Sequence, residues 1–331
     1  MLGVDGGNTK TIALVANCDG VIVSSGRGGC SDIYGAGSPE AALVELDAAV
    51  SGALKAAGVA PDQLAAASFS LAGADWPEDF ALLRAALVQR GFTRNLEIVN
   101  DGLGGLRAGS PDGCGVAVVC GTGVATSARA PGGRVWWSSY WQEPQGALEL
   151  GEKTLRAVYR AELGLDPPTA LTGRVLAHFG VDTVEEVLHR MTARQRAAPH
   201  VDRLAPALLD EAAAGDTVAR DLVQAHGAAL GDYALIAARK VGLAGGPFHL
   251  VLSGGVLRHP THLLREALVE RVAAAVPGVR PISSRLEPAA GAVLLALDSA
   301  GRAVDPPLLE RLAASLPAAA LFSTQSIEKR G

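Results

Sequence analysis

Two segments of the chain, one near the start of each half, share the same order of features: an apolar strand, a glycine-containing turn and a second apolar strand. The first is LGVDGGNTKTIALV (residues 2–15) and the second is VAVVCGTGVATSARA (residues 116–130). Around them, apolar runs of strand length alternate with stretches of helical periodicity, a pattern typical of α/β domains with a central sheet. The repeat favours two α/β domains that arose by duplication.

The composition agrees with a chain that buries substantial apolar cores. Hydrophobic residues make up 49% of the 331 residues and charged residues 19%, which excludes a disordered chain. The net charge of −5 and the lack of a basic cluster argue against a nucleic-acid partner. The apolar runs are too short to cross a bilayer and the start resembles no signal peptide, so we predict a cytoplasmic protein without a membrane partner.

Apolar periodicity also predicts the individual elements. In the first half we predict strands at 2–5, 11–16, 21–25, 65–71 and 96–100, and helices at 39–57 and 78–89. In the second half we predict the hairpin above, a mainly helical region from 149 to about 243, a strand at 248–256 and helices at 260–275 and 287–297. The domains expected from these elements are an N-terminal domain (1–113), a C-terminal domain with a helical insertion (114–300) and a peripheral tail (301–331).

Three glycine turns follow apolar strands, at Gly6-Gly7, Gly121-Thr122-Gly123 and Gly254-Gly255. Glycine allows backbone N–H groups to approach an anion closely, and threonine hydroxyls in or beside two of the turns add further donors. Neither the GxxxxGKS/T P-loop nor a GxGxxG motif after a strand is present. A single such turn is more often only a turn, but three in this order indicate a ligand that carries phosphate.

Aspartates stand at the ends of two predicted strands. Asp5 ends the first strand, and EIVNDGLGGLRAG places Asn100 and Asp101 where a strand gives way to a helix of small residues. Asp101 could simply cap that helix, which is a common use of aspartate. Against this reading stands the order of the parts along the chain: turn, strand-end aspartate, turn and turn.

These segments resemble those of the sugar kinase/heat-shock-protein-70/actin superfamily. Within it, the chain is most similar to the BadF/BadG/BcrA/BcrD ATPase family, which includes N-acetylglucosamine kinases. GVDGGNTKT resembles the first phosphate motif, NDGLGGLRAG the segment with the catalytic aspartate, CGTG the second phosphate motif and LSGGVLRHP the adenosine motif. SLAGADWPED and EPAAGAVLLAL match the family as well. The resemblance, which runs from residue 2 to about 300, implies two ribonuclease H-like (actin-like ATPase) domains with an ATP cleft between them.

The resemblance implies ATP and Mg²⁺ as cofactors. Asp5 would hold Mg²⁺ directly or through water, and Asp101 would take the proton from the acceptor hydroxyl. The turns would bind the nucleotide through the residues Gly6, Gly7, Asn8, Thr9, Lys10, Gly121, Thr122, Gly123, Gly254 and Gly255.

The acceptor side departs from the family pattern. Relatives usually carry a GDEGSG segment whose aspartate binds the sugar, whereas this chain has WQEPQGALELG, with Glu143 as the nearest acid. The asparagine that usually follows the third strand is replaced within GGCSDIYG. The neighbouring VWWSSYW fits core packing, a dimer contact or a stacking surface for a ring-shaped acceptor. The candidates for binding the acceptor are therefore Ser31, Asp32, Asn100, Asp101, Glu143 and Gly146.

The function predicted from this resemblance is phosphorylation of a hydroxyl on a sugar or amino sugar, such as N-acetylglucosamine or glucosamine, by a homodimer. A cyclitol or another polyol is an alternative acceptor. A second alternative is an ATPase activator of a dehydratase or reductase, which would hold a 4Fe–4S cluster through cysteines. The four cysteines lack CxxC spacing, which argues against this reading: Cys18, Cys30, Cys114 and Cys120. A nucleotide-binding regulator without turnover is a third alternative, which the presence of Asp101 disfavours.

Overall fold

The computed structural model describes residues 1–193 and 200–323 and divides into two compact units. The first unit consists of Met1–Gly115 and the chain from Ser284 onward, and the second consists of Val116–Ser283. Each unit is built on a five-stranded sheet covered by helices. The predicted α/β class is therefore confirmed.

The first sheet has the strand order β3-β2-β1-β4-β5. Its strands are β1 (Leu2–Gly6), β2 (Thr11–Ala16), β3 (Ile22–Gly28), β4 (Ala67–Leu71) and β5 (Leu96–Asn100). The first three strands pair antiparallel, whereas β1, β4 and β5 run parallel. Because parallel strands end at the same edge of a sheet, the residues that follow β1, β4 and β5 gather at one edge.

Helices cover both faces of the first sheet because its strands alternate their side chains between two cores. On one face, Ala13 and Val15 pack with α1 (Pro39–Ala57) and α2 (Pro77–Gln89). On the other face, Ile12 and Leu14 pack with three helices: α3 (Asp101–Gly109), α10 (Pro288–Ser299) and α11 (Pro306–Ala314).

The helix α10 belongs to the first unit although it follows the second unit in sequence. A Cβ on Gly3 would lie 2.2 Å from the backbone nitrogen of Val293, and a Cβ on Gly291 would lie 1.9 Å from the carbonyl oxygen of Gly104. The helix can approach β1 and α3 this closely only because these positions are glycine. The structure thus places residues 284–300 with the N-terminal part of the chain, not in the C-terminal domain we expected.

The described part of the expected tail also packs on the first unit. Leu308 and Leu312 of α11 are 2% and 0% exposed, and Ser315 Oγ accepts a hydrogen bond from the Ile22 nitrogen at 2.9 Å. Residues 301–323 are therefore an integral layer of this unit, and not a peripheral tail, because α11 completes the core beneath β2 and β3. Residues 324–331 lie outside the described residues.

The second sheet has the order β10-β9-β6-β7-β8, which repeats the order of the first when strands are counted within each unit. Its strands are β6 (Gly115–Cys120), β7 (Val124–Arg129), β8 (Val135–Trp137), β9 (His249–Ser253) and β10 (Arg280–Ser283). The predicted helical region forms α4 (Ala147–Glu162), α5 (Leu171–Phe179), α6 (Val184–Thr192), α7 (Ala205–Ala214) and α8 (Thr217–Val241), and α9 (Leu263–Ala275) follows β9. None of the helices in the two described ranges is long and apolar enough to cross a membrane.

Candidate active site

Asp101 is the first residue of α3, and the cap of that helix is the residue before it. Asn100 Oδ1 accepts a hydrogen bond from the Gly102 nitrogen at 3.2 Å, which satisfies one of the free N–H groups at the helix start. The capping residue of α3 is therefore Asn100 and not Asp101, although a hydrogen bond from the Gly102 backbone N–H acts to lower the pKa of Asp101. Helix capping alone therefore does not explain why an aspartate stands at position 101.

The carboxylate of Asp101 lies in an acidic environment. Burial raises the pKa of Asp101 to about 7. Three neighbouring carboxylates act in the same direction, those of Asp5, Asp75 and Asp32. A carboxylate whose pKa lies near neutrality is suited to accept and release a proton at physiological pH.

Asp5 lies near the end of β1, where the sheet brings it alongside β4 and opposite Ser70. Burial raises the pKa of Asp5 to about 7, the Lys10 ammonium opposes this shift, and Glu287 adds to it. Glu287 directly precedes α10, so the segment EPAAGAVLLAL contributes a carboxylate near Asp5 that the sequence did not single out.

Asp75 is a second residue of the candidate site, besides Glu287, that the sequence reasoning missed. Asn100 Nδ2 donates to Asp75 Oδ1 at 3.0 Å, and Asp79 Oδ2 accepts from the backbone nitrogens of Asp75 and Trp76 at 3.2 and 2.8 Å. The loop after β4 is thereby held against the end of β5. The segment SLAGADWPED was recognised, but an acid two residues before a helix carried no signal for a role at Asp101.

The two candidates after β3 differ in their surroundings. Ser31 Oγ accepts from Thr11 Oγ1 at 2.7 Å and lies so close to Gly6 that a Cβ there would come within 2.4 Å of it. Ser31 therefore supports the first turn. Asp32, which is 7% exposed, accepts at Oδ1 from the Tyr34 nitrogen at 2.9 Å and acts on the pKa of Asp101. Asp32 is thus the better candidate for contact with an acceptor.

The first glycine turn is closed by one backbone hydrogen bond, from the Gly7 nitrogen to the Lys10 carbonyl at 3.0 Å. Asn8 and Thr9 at its tip are exposed. Lys10 Nζ donates to the carbonyl of Phe322, so this side chain is held by the C-terminal segment of the same unit. The turn presents its tip to solvent, as a phosphate-binding turn requires.

The second turn, in the other unit, rests on the start of α4. The nitrogens of Ala147 and Leu148 donate to the carbonyls of Gly121 and Thr122 at 2.8 and 3.2 Å. A Cβ on Gly146 would lie 2.2 Å from the Gly121 carbonyl oxygen. The structure thus gives Gly146 a packing role, because glycine lets the helix approach the turn.

Other predicted residues of this unit differ in exposure. Thr122 and Gly123 are exposed at the tip of the second turn. Glu143, the predicted replacement for the family's sugar-binding aspartate, is also exposed. Gln142 beside it is buried, with Nε2 donating to the Pro144 carbonyl at 3.1 Å.

The third glycine turn, at Gly254-Gly255, lies beside the end of β6, the strand that precedes the second turn. Gly254 has φ +93°, and a Cβ there would lie 2.2 Å from the Cys120 carbonyl oxygen, which also accepts from the Val256 nitrogen at 3.1 Å. A Cβ on Gly255 would meet no atom within 4 Å. Gly254 is therefore required by the fold, whereas Gly255 leaves an open surface.

The cysteines offer no observation in favour of an iron–sulfur cluster. Cys120 is buried, and burial raises its pKa to about 12, whereas a metal ligand must be a thiolate. Within residues 1–193 and 200–323, no group of three or more His, Cys, Asp or Glu side chains is arranged to hold a metal ion.

Two curated proteins are similar to this chain over most of its length. The chain is 24% identical over 316 residues to the N-acetyl-D-glucosamine kinase of Dictyostelium discoideum. The alignment covers 90% of this chain and 98% of the relative. It is 22% identical over 300 residues to the N-acetylmuramic acid/N-acetylglucosamine kinase of Clostridium acetobutylicum, with 89% and 97% coverage.

The fold has a counterpart among solved structures. The crystal structure of a ROK family glucokinase from Streptomyces griseus, in complex with glucose and AMPPNP, gives a TM-score of 0.59 at 16% identity and covers 91% of this chain and 98% of its own. The two chains share the actin-like ATPase fold of sugar kinases. Residues 2–296 match the sequence model of one family, so the chain belongs to the BadF/BadG/BcrA/BcrD ATPase family.

Proposed function

We propose that the chain is an ATP-dependent kinase that transfers the γ-phosphoryl group of ATP to a hydroxyl of a sugar or amino sugar. The observation that carries this proposal is Asp101, a carboxylate that is not needed as a helix cap and whose pKa is raised to about 7. The two curated relatives, both kinases of amino sugars or their derivatives, support it.

In this mechanism Asp101 orients the acceptor hydroxyl and takes its proton as the oxygen bonds to the γ-phosphorus. The bond from that phosphorus to the bridging oxygen breaks in line, and ADP leaves with the electron pair. Asn100 and Asp75 hold the loop and the helix start on either side of the base. Besides this proton transfer, the protein contributes by positioning the two substrates and by stabilising the charge of the transferring group.

Mg²⁺ fits the residues present at Asp5. The Asp5 residue is half-buried, and its raised pKa indicates that the nearby Lys10 ammonium compensates its charge only in part. Mg²⁺ is commonly bound through one or two carboxylates together with substrate phosphates, so a single protein carboxylate suffices. When bound there, the ion would neutralise charge on the phosphates of ATP.

The nucleotide is assigned to the glycine turns. In the first unit, the exposed tip of Asn8 and Thr9 would contact phosphate oxygens. In the second unit, Thr122 would contact the β- and γ-phosphates, and the open surface at Gly255 would accept the nucleoside. We also propose that the protein is cytoplasmic and forms a homodimer. Sedimentation of the purified protein would test the dimer, and fractionation of cells would test the location.

The acceptor is assigned to Asp32 and to the group formed by Asn100 and Asp101. Glu143, which is exposed and carries one methylene more than aspartate, is not expected to replace the sugar-binding carboxylate of relatives. When one partner of a buried hydrogen bond is missing, here the protein carboxylate, the other polar group is left unpaired, and such a mismatch discriminates by a factor of about 10⁴ or more. We therefore expect N-acetylglucosamine to be a poor acceptor.

The test measures ADP release from ATP in the presence of each of a series of sugars, amino sugars and cyclitols. Mass spectrometry then identifies any phosphorylated product. The ratio kcat/KM for N-acetylglucosamine, glucosamine and glucose should be compared in the wild type and in Glu143→Ala. Formation of a sugar phosphate supports the proposal, and ATP turnover without a phosphorylated product contradicts it. Efficient N-acetylglucosamine turnover that Glu143→Ala leaves unchanged would show that the altered segment does not set specificity.

A further inference from the structure

His226 is a fully buried histidine whose two ring nitrogens both have partners. It lies in the middle of α8 and is 0% exposed. Its Nε2 lies 2.8 Å from the Gln145 carbonyl oxygen, and its Nδ1 lies 2.9 Å from Lys153 Nζ. Neither partner belongs to α8, so the ring joins this helix to the segment before α4 and to α4 itself.

The partners determine which nitrogen carries the proton. A lysine ammonium can only donate, so Nδ1 accepts from Lys153 and Nε2–H donates to the Gln145 carbonyl. Burial lowers the pKa of His226, and the Lys153 ammonium acts in the same direction, in agreement with a neutral ring. The ring therefore acts as a fixed bridge with one donor and one acceptor.

The start of α4 is held from a second side by Glu149. Its carboxylate accepts from the Gln145 nitrogen and forms an ion pair with Lys153 at 2.9 Å. Gln145 is thus held by His226 at its carbonyl and by Glu149 at its N–H. Lys153 in turn connects Glu149 to His226.

This connection leads directly to the second glycine turn. Two residues after Gln145, the nitrogen of Ala147 donates to the Gly121 carbonyl, and the next nitrogen donates to the Thr122 carbonyl. The position of Gln145 therefore determines where the first amides of α4 meet the turn. Gly146 lies between Gln145 and these contacts, and a Cβ there would come within 2.2–2.8 Å of three carbonyl oxygens of the turn, so the helix start packs closely against it.

We propose that His226 is a positioning residue for ATP: its Nε2–H bond to the Gln145 carbonyl fixes the start of α4, and α4 fixes the phosphate-binding turn Gly121–Gly123. The inference rests on the proposed assignment of this turn to the phosphates of ATP. His226 itself touches no reacting atom.

The test compares three substitutions of His226 in the full-length chain. In His226→Ala both bonds are lost, and KM for ATP should rise about tenfold, the size expected when a buried hydrogen bond is broken. His226→Gln has an amide nitrogen near the place of Nε2 and should keep KM for ATP within about threefold of the wild type. His226→Asn can accept from Lys153 but cannot reach Gln145, so its KM for ATP should resemble that of His226→Ala.

Two further variants separate this role from general destabilisation. Thr154→Val removes a buried hydroxyl that bonds to the Leu150 carbonyl within α4, and should lower the Tm without changing KM for ATP. Thr122→Ala tests the turn itself and should raise KM for ATP. In the His226 variants KM for the acceptor should stay within about twofold of the wild type, which a general loss of structure would not produce.

The outcomes distinguish the two proposals. An unchanged KM for ATP in Thr122→Ala would overturn the assignment of the turn, and this inference with it. A raised KM in Thr122→Ala together with equal KM values in His226→Gln and His226→Asn would overturn the role of His226 alone. If His226→Ala fails to fold, the comparison of glutamine with asparagine still decides.

Discussion

Asn100 donates from Nδ2 to Asp75 Oδ1 at 3.0 Å while its own Oδ1 caps α3, so one amide joins two loops at the edge of the first sheet. It holds the Asp75 carboxylate near Asp101, whose pKa Asp75 helps to raise. Asp75 therefore raises the pKa of the proposed base, and it is held in place by Asn100, which lies 25 positions away in the sequence.

Asp75→Asn should shift the pH dependence of activity. The asparagine keeps an oxygen that can accept from Asn100 but removes a negative charge that raises the pKa of Asp101. The pKa of the base should fall, so the acidic limb of the profile of kcat/KM against pH should move to lower pH. The measurement is ADP release across pH with saturating Mg²⁺, and a shift to higher pH would contradict the assignment.

Asp101→Asn should abolish most of the turnover while sparing nucleotide binding. Loss of a general base commonly lowers kcat by about 10²-fold or more, and KM for ATP should change little. Asp62→Asn, at an exposed position of the same unit, is the matched control and should behave as the wild type. A variant that keeps more than about a tenth of the activity would exclude Asp101 as the base.

Asp5→Asn should be more stable than the wild type at alkaline pH when Mg²⁺ and nucleotide are left out. Burial raises the pKa of Asp5 to about 7 from 3.8, so the folded state holds this proton more tightly than the unfolded state. The associated stability is present below the unfolded pKa and is lost as pH rises through about 7. Asparagine carries no charge, so its Tm should exceed that of the wild type by several degrees near pH 8 and by less near pH 5.

The same substitution should abolish Mg²⁺-dependent turnover, because the proposed ligand is removed. A Tm difference that is larger at the acidic pH would contradict the explanation by burial. Turnover that persists without Mg²⁺ in the wild type would exclude the metal role of Asp5.

Gly254→Ala and Gly255→Ala should differ although the residues are adjacent. At Gly254 a Cβ would meet the Cys120 carbonyl at a positive φ of 93°, and we expect a loss of about 2 kcal/mol or more. At Gly255 the added methyl would meet nothing within 4 Å, so the Tm should stay near that of the wild type. Thermal unfolding measures both, and equal Tm values would contradict the structural assignment.

KM for ATP gives the second readout of this pair. If the nucleoside lies over the third turn, Gly255→Ala should raise KM for ATP while the protein stays folded. An unchanged KM would place the nucleoside elsewhere.

The sequence by itself was sufficient for the elements and residues whose role is local. The hairpin of β1 and β2, the helix α1 and the turns follow from apolar periodicity and glycine chemistry within a few residues, and the structure has them at the predicted places. Asp5 and Asp101 were singled out because a carboxylate at a strand end followed by small residues is a local pattern, and their roles in catalysis and metal binding stay predictions. The family follows from the order of these local patterns along the chain.

Only the tertiary structure decided what depends on distant contacts. The residues of β10 are mostly exposed and show no alternating apolar pattern, so this segment is a strand because it pairs with β9. The helix α10 joins the first unit through glycines that allow close approach, and the acid at position 75 and His226 acquire their roles through partners 25 and 81 residues away. Such contacts form only when the chain returns on itself, because burial and hydrogen bonding between distant segments are properties of the folded arrangement and not of any short stretch of sequence.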